Sequence, residues 1–137
     1  MKRTALTILS ALLILLLAGC GAQPKEFTVK VKCQSEGIYQ LFYTCYIGEK
    51  SCGMGGMADL EGGMLTEKTD LSVTFTEEYL EHKDISAFSM DFSPYGKNDT
   101  AELATTAKVP IDAEYGKTYT IIFSGDQESG FSAKLQE

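Results

Sequence analysis

Apolar and polar residues alternate along most of this chain with a period of two, the pattern of strands that keep one face dry and the other wet. Phe27, Val29, Val31 and Cys33 alternate with Thr28, Lys30 and Lys32, which predicts a half-buried strand. Gln34 to Gly37 reads as a turn and Ile38 to Ile47 as a second, longer strand, so the two are expected to pair as a hairpin. Gly48 to Gly63 breaks the alternation with glycines at 48, 53, 55, 56, 62 and 63, and reads as a loop or irregular edge. Leu71, Val73 and Phe75 restore it against Ser72, Thr74 and Thr76. Thr76 then precedes Glu77-Glu78-Tyr79-Leu80-Glu81, where it can cap a single helical turn with acidic residues at the positive end.

Phe88, Met90 and Phe92 predict a further strand, ended by Ser93-Pro94-Tyr95-Gly96. Leu103, Thr105, Ala107 and Val109 make a less regular one before Pro110. Tyr119, Ile121 and Phe123 form the next and Phe131, Ala133 and Leu135 the last, joined through residues 125–130. Seven or eight short strands separated by turns predict an all-β antiparallel sandwich over residues 26–137. No repeat is visible, and nothing in this body is apolar at helical spacing.

The start of the chain follows a different rule. Lys2 and Arg3 precede an apolar stretch from Thr4 to Leu17, too short to span a bilayer comfortably, and the stretch ends in Leu17-Ala18-Gly19-Cys20. Basic start, apolar run and small residues before a Cys make an export signal, which is expected to form a helix; an uncleaved anchor and an ordinary secretory signal are the alternatives. The last four positions resemble the lipobox of bacterial lipoproteins, an aliphatic residue, two small residues and Cys. The resemblance implies that Cys20 receives a diacylglyceryl group, that residues 1–19 are removed, and that residues 20–25 tether the folded body to the extracytoplasmic face of a membrane. Two acyl chains anchor stably where one would not.

Composition supports strands: Trp is absent, Pro occurs three times, and Tyr and Phe occur seven times each. The chain carries a net charge of −7, and losing Lys2 and Arg3 makes the remainder more acidic still. Such a body lacks the Lys/Arg field that nucleic acid or a broad anionic lipid surface would need, and its excess charge serves solubility.

Val109-Pro110 followed by Gly116-Lys117-Thr118-Tyr119-Thr120-Ile121-Ile122 resembles the passage between strands E and F of fibronectin type III and other immunoglobulin-like domains. The resemblance implies an immunoglobulin-like sandwich in which Tyr119 folds back to hydrogen-bond the preceding corner. The missing Trp, the longer linker and the Cys spacing depart from that pattern.

With Cys20 acylated, Cys33, Cys45 and Cys52 remain, so one disulfide at most can form within the chain. Cys45 with Cys52 is the preferred pair, while Cys33, on an apolar strand face, reads as a small buried hydrophobe. Cys52, Met54, Met57 and Met64, with Cys45 nearby, supply soft sulfur donors of the kind that select Cu(I), and the same methionines can equally be core or edge fillers. His82, the only His, stands among Glu81, Lys83 and Asp84, which suits a charged surface loop better than a general base. Asp84, Asp91, Asp99, Asp126 and Glu128 offer oxygen ligands for Ca²⁺ without the spacing of an EF-hand loop, and turns account for them.

No catalytic set emerges. The leading expectation is a non-enzymatic, lipid-anchored module of the cell envelope that binds a protein, peptide or glycan, with Tyr39, Tyr43, Tyr46, Tyr95 and Tyr115 as candidate contacts. A copper or redox protein using residues 45–64 and an accessory lipoprotein of a membrane complex are the alternatives.

Overall fold

The computed structural model describes residues 24–137. The export segment 1–19, its expected helix and Cys20 lie outside the described residues. Eight strands are present: β1 Glu26–Cys33, β2 Gln40–Ile47, β3 Lys50–Ala58, β4 Leu71–Thr76, β5 Phe88–Tyr95, β6 Val109–Ile111, β7 Thr118–Asp126 and β8 Gly130–Leu135. They form two four-stranded sheets, ordered β4-β1-β7-β8 and β3-β2-β5-β6. No helix occurs among the described residues.

Period-two alternation turns one face of each sheet inward. Phe27, Val29, Val31, Leu71, Phe75, Ile121 and Phe123 from the first sheet meet Leu41, Cys45, Phe88, Met90 and Phe92 from the second, all buried. The tightest part is a trio of rings: Phe27 to Phe75 at 5.3 Å, and Phe88 of the opposite sheet at 5.0 Å from each. Burying one such side chain stabilises by about 1.5–3 kcal/mol, and each aromatic pair adds about 0.5–1.5 kcal/mol. Truncating one of these rings to Ala should cost about 3–5 kcal/mol, an appreciable part of the net stability of about 5–15 kcal/mol usual for a domain.

Three expectations from the sequence need correction. First, β1 and β2 do not form a hairpin. β4 and β7 occupy both edges of β1, so β2 has no edge to join and residues 34–39 cross to the other sheet. Ile38, 1% exposed, plugs the sandwich at this crossing. Second, of the two readings of the glycine-rich segment the loop is overturned over 50–58: it is an edge strand, β3, with one irregularity, paired with β2 along Gln40↔Ala58 to Ile47↔Lys50. Third, the strand expected over 103–109 is irregular up to Lys108, and pairing runs over Val109–Ile111 against Phe88–Met90. Leu103 and Thr106 are tied to β5 by single backbone bonds, to Pro94 O and Phe92 O, rather than by a ladder.

The sandwich is also not wholly antiparallel, because β7 runs parallel to β1 from Thr28↔Thr118 to Cys33↔Phe123. Residues 112–117 carry the chain from β6 in one sheet to β7 in the other. Tyr119 braces this corner: its hydroxyl donates to Asp112 O at 2.9 Å and accepts from Glu114 N at 2.8 Å. At the far end of β7, Gly125 has φ 109°, and a Cβ there would run into the Gly130 carbonyl oxygen. Only glycine suits that position.

Thr76 ends β4 and caps one isolated turn that does not continue into a helix: its Oγ1 accepts from Tyr79 N and its carbonyl oxygen from Leu80 N, both at 3.1 Å. The same turn receives the start of the body, where Glu77 N donates to Lys25 O at 2.8 Å and the two side chains pair at 3.1 Å.

Replacing Tyr119 by Phe removes both corner bonds and should lower stability by about 1–2 kcal/mol. Urea denaturation with an unchanged circular dichroism spectrum checks this, and an unaltered midpoint would show that the corner holds without the hydroxyl.

Candidate functional site

The connections divide between the two ends of the sandwich. Lys25, the 48–49 turn and loops 77–87 and 112–117 share one pole. Connections 34–39, 59–70, 96–108 and 127–129 share the other, so the chain enters opposite the longest loops. At the far pole Glu36, Asp99, Asp126 and Glu128 line one shallow cleft. The Asp126 and Asp99 carboxylates serve their own turns, as that of Asp84 does at the other pole. Asp126 Oδ1 accepts from Glu128 N, Ser129 N and Ser129 Oγ at 2.7–2.9 Å, and the Ser129 bonds hold its carboxyl below the ordinary range. Asp99 Oδ2 accepts from Gly96 N at 2.8 Å, and Asp84 Oδ1 from Ser86 N at 3.0 Å. Among the described residues, no three His, Cys, Asp or Glu side chains gather where they could hold a metal ion.

The most unusual chemistry is at strand β3. Gly48, with φ 59°, opens a two-residue hairpin between Ile47 and Lys50, which puts a strand next to β2. Facing β2, the glycines make room for rings. A Cβ on Gly55 would lie 2.5 Å from Tyr43 Oη and 2.6 Å from its Cζ, and one on Gly56 would lie 3.2 Å from the Phe42 ring. A Cβ on Gly53 would lie only 1.9 Å from the Tyr79 hydroxyl oxygen. The aromatic side chains thus fold sideways across the bare backbone and supply the cover that β3 lacks. This is what the composition of Cys52-Gly53-Met54-Gly55-Gly56-Met57 encodes.

Strand parity also decides the fate of the sulfur set. Met54 stands opposite Thr44 on the outer face and is 75% exposed, whereas Met57 stands opposite Leu41 and is 7% exposed inside. Met64 lies in the next connection, where its Sδ accepts from Gly37 N at 3.1 Å. Cys52, Met54, Met57 and Met64 therefore do not converge, because residues three apart on a strand point to opposite faces. Cys45 and Cys52 do meet, with sulfurs 2.9 Å apart. Cys33 is buried in the other sheet, and burial raises its thiol above the usual range.

The outer face of the β3-β2-β5-β6 sheet carries Phe42, 43% exposed, with Tyr95 at 5.1 Å, and Met54 on the neighbouring strand. Further along, the Tyr46 hydroxyl donates to Asp91 Oδ2 at 2.8 Å, which raises the phenol's pKa, and Lys108 Nζ lies 3.9 Å above its ring. Of the other candidate tyrosines, Tyr39 lies beside Lys97, while Tyr43 and Tyr115 pack against the core. His82 is largely exposed, 3.7 Å from Glu77.

Sequence reasoning offered an irregular edge here but missed its regular pairing with β2 and the role of Phe42. The Gly-x pair after Ile47 and the aromatic residues at 42 and 43 are the signals that point to them. Gly55→Ala should cost about 1–3 kcal/mol by overpacking against Tyr43. In Gly55→Ala with Tyr43→Ala the loss should be smaller than the sum of the single losses by at least about 0.5 kcal/mol. Strict additivity in urea titrations would contradict the ring-over-glycine packing.

No protein-family model and no curated protein sequence matches the chain. Among solved structures, one titled "NMR structure of the protein from Eubacterium rectale" aligns over 85% of this chain and 96% of its own, at 10% identity and a TM-score of 0.39. Another, titled "Trapped Toxin", aligns over 84% of this chain and 24% of its own, at 10% identity and a TM-score of 0.30. Neither similarity bears on function.

Proposed function

We propose that this chain is a non-enzymatic binding module, anchored through a lipid on Cys20 to the extracytoplasmic side of a membrane, which takes an extended peptide segment along the edge of β3. The observation that carries the reading is the edge itself. β3 ends its sheet, and from Ser51 to Ala58 it bears no charge, proline or bulky inward side chain except Met57. Exposed sheet edges of this kind are usually blocked by lysine, proline or a bulge, and peptides dock on open ones by adding a strand. The bulge here lies only at the Cys45/Tyr46 end, leaving the run toward Ala58 regular. Met54, Phe42 and Tyr95 on the adjoining face offer apolar contact for alternate side chains of the added strand.

The architecture fits an immunoglobulin-like reading in its first six strands: β3-β2-β5-β6 follows the order C′-C-F-G, and β4-β1 the order E-B. The β7–β8 hairpin would then be an addition beside β1, so Tyr119 would brace the passage from strand G into that addition and not the E-to-F corner its sequence resembles. The entry of the chain at the pole opposite connections 34–39, 59–70, 96–108 and 127–129 fits a body held above a membrane with those loops facing away.

Two measurements test the reading. Cys20→Ser should move the protein from the membrane fraction to the soluble one and abolish incorporation of labelled palmitate; an unlabelled wild-type protein would contradict the anchor. The detergent-solubilised full chain should enrich extended apolar sequences from a displayed random-peptide library. Met54→Lys, at an exposed site, should weaken the enriched peptides at least about tenfold while leaving Tm within about 2 °C. Equal binding by both proteins would place the contact elsewhere.

A further inference from the structure

We propose that Cys45 and Cys52 close a disulfide that staples the edge strand β3 to β2 at its bulge, with Cys33 left as a thiol. The local geometry is built for it. Cys45 pairs with Gly53 and Tyr46 with Ser51, so Cys52 is the extra residue of the bulge and has no partner across the ladder. A bulge re-aims the side chain it carries. Here it brings the Cys52 sulfur to 2.9 Å from that of Cys45, which is fully buried, while Cys52 is only half-buried. Tyr79, whose hydroxyl sits close to where a Cβ on Gly53 would be, covers the pair from the β4–β5 loop.

A shared metal fits these sulfurs less well. Metal–thiolate bonds of about 2.3 Å in a tetrahedral site hold two sulfurs about 3.8 Å apart. The third cysteine offers no alternative partner, since Cys33 lies in the opposite sheet, pairs in register with Phe123, and donates to Ser35 O at 3.6 Å.

Closure needs an oxidant, and a disulfide-bearing thiol oxidant supplies it. The thiolate of Cys52, the more accessible sulfur, attacks that disulfide to give a mixed disulfide and one released thiol. The sulfur of Cys45 then attacks Cys52, which releases the second thiol. Two cysteine thiols are oxidised, one S–S bond is formed and one broken, and both protons end on the oxidant's thiols. In the reverse direction the accessible Cys52 sulfur is the point of attack and buried Cys45 must leave. Burial pushes its thiol well above the usual range, and such thiolates leave slowly. The bridge is thus structural rather than a shuttle. It is independent of the peptide-binding reading, and the export reading enters only as the natural source of oxidant.

The test uses the full chain, purified reduced and equilibrated with oxidised glutathione. Trypsin cuts after Lys32, Lys50 and Lys68, so Cys45 falls in peptide 33–50 and Cys52 in peptide 51–68. A non-reduced digest should contain these two joined, in wild type and in Cys33→Ser, and separate in Cys52→Ser. Fragmentation of the joined wild-type pair assigns the bridged sulfur to Cys45 or Cys33 if Cys33→Ser does not fold. Reduction should lower the Tm of wild type by at least about 5 °C and leave that of Cys52→Ser unchanged. Separate peptides in wild type, a bridge that uses Cys33 or Cys20, or a Tm indifferent to reductant would overturn the proposal.

Discussion

Everything in this fold hangs on the layer of rings trapped between the two sheets. Phe27 and Phe75 from one sheet close on Phe88 from the other, and Phe92 continues the layer to Phe123 at 6.5 Å. With Trp absent, phenylalanine supplies the bulk that fixes the spacing of the sheets. Each ring belongs to a strand whose other face is polar, so a register slip of one residue would expose the whole inward set. That penalty holds β1, β4, β5 and β7 in place, and the remaining strands are positioned against them.

β3 is the strand with least claim on this layer, and its composition follows from its place. Only Met57 sends a large side chain inward from it; Gly53 and Gly55 yield that space to Tyr79 and Tyr43. A strand with so little of its own to bury depends on rings borrowed from β2 and from the β4–β5 turn, and on whatever covalent tie it has to β2. The same lack of side chains leaves its outer edge unobstructed. Weak intrinsic burial and an open edge are two consequences of one choice of residue.

Much of the architecture was legible in the sequence, because alternation reports which face of a strand is dry. β1, β4, β5, β7 and β8 could be read from that signal alone. Alternation does not report which strand lies alongside. The crossing from β1 to β2 and the parallel pairing of β1 with β7 depend on partners more than 80 residues apart in the second case, as with Thr28 and Thr118. β3 was hidden for a different reason: glycine carries no hydropathy pattern, and its cover comes from Phe42 and Tyr43 on another strand. Of the candidate site, the proximity of Cys45 and Cys52 followed from their spacing around a turn. The idea of a methionine cluster failed on parity, since Met54 and Met57 can share a face only if the segment is a loop.

A peptide can dock on β3 only if it is an ordered strand with one free edge, and amide hydrogen exchange followed by NMR measures this residue by residue. In an edge strand of an antiparallel pair, amides alternate between the ladder and solvent. Residues 50–58 should therefore show alternating slow and fast exchange, beside uniformly slow exchange in β2 and β5. Uniformly fast exchange across 50–58 would mean a loop, and uniformly slow exchange would mean an edge already covered; either result would contradict docking on this edge.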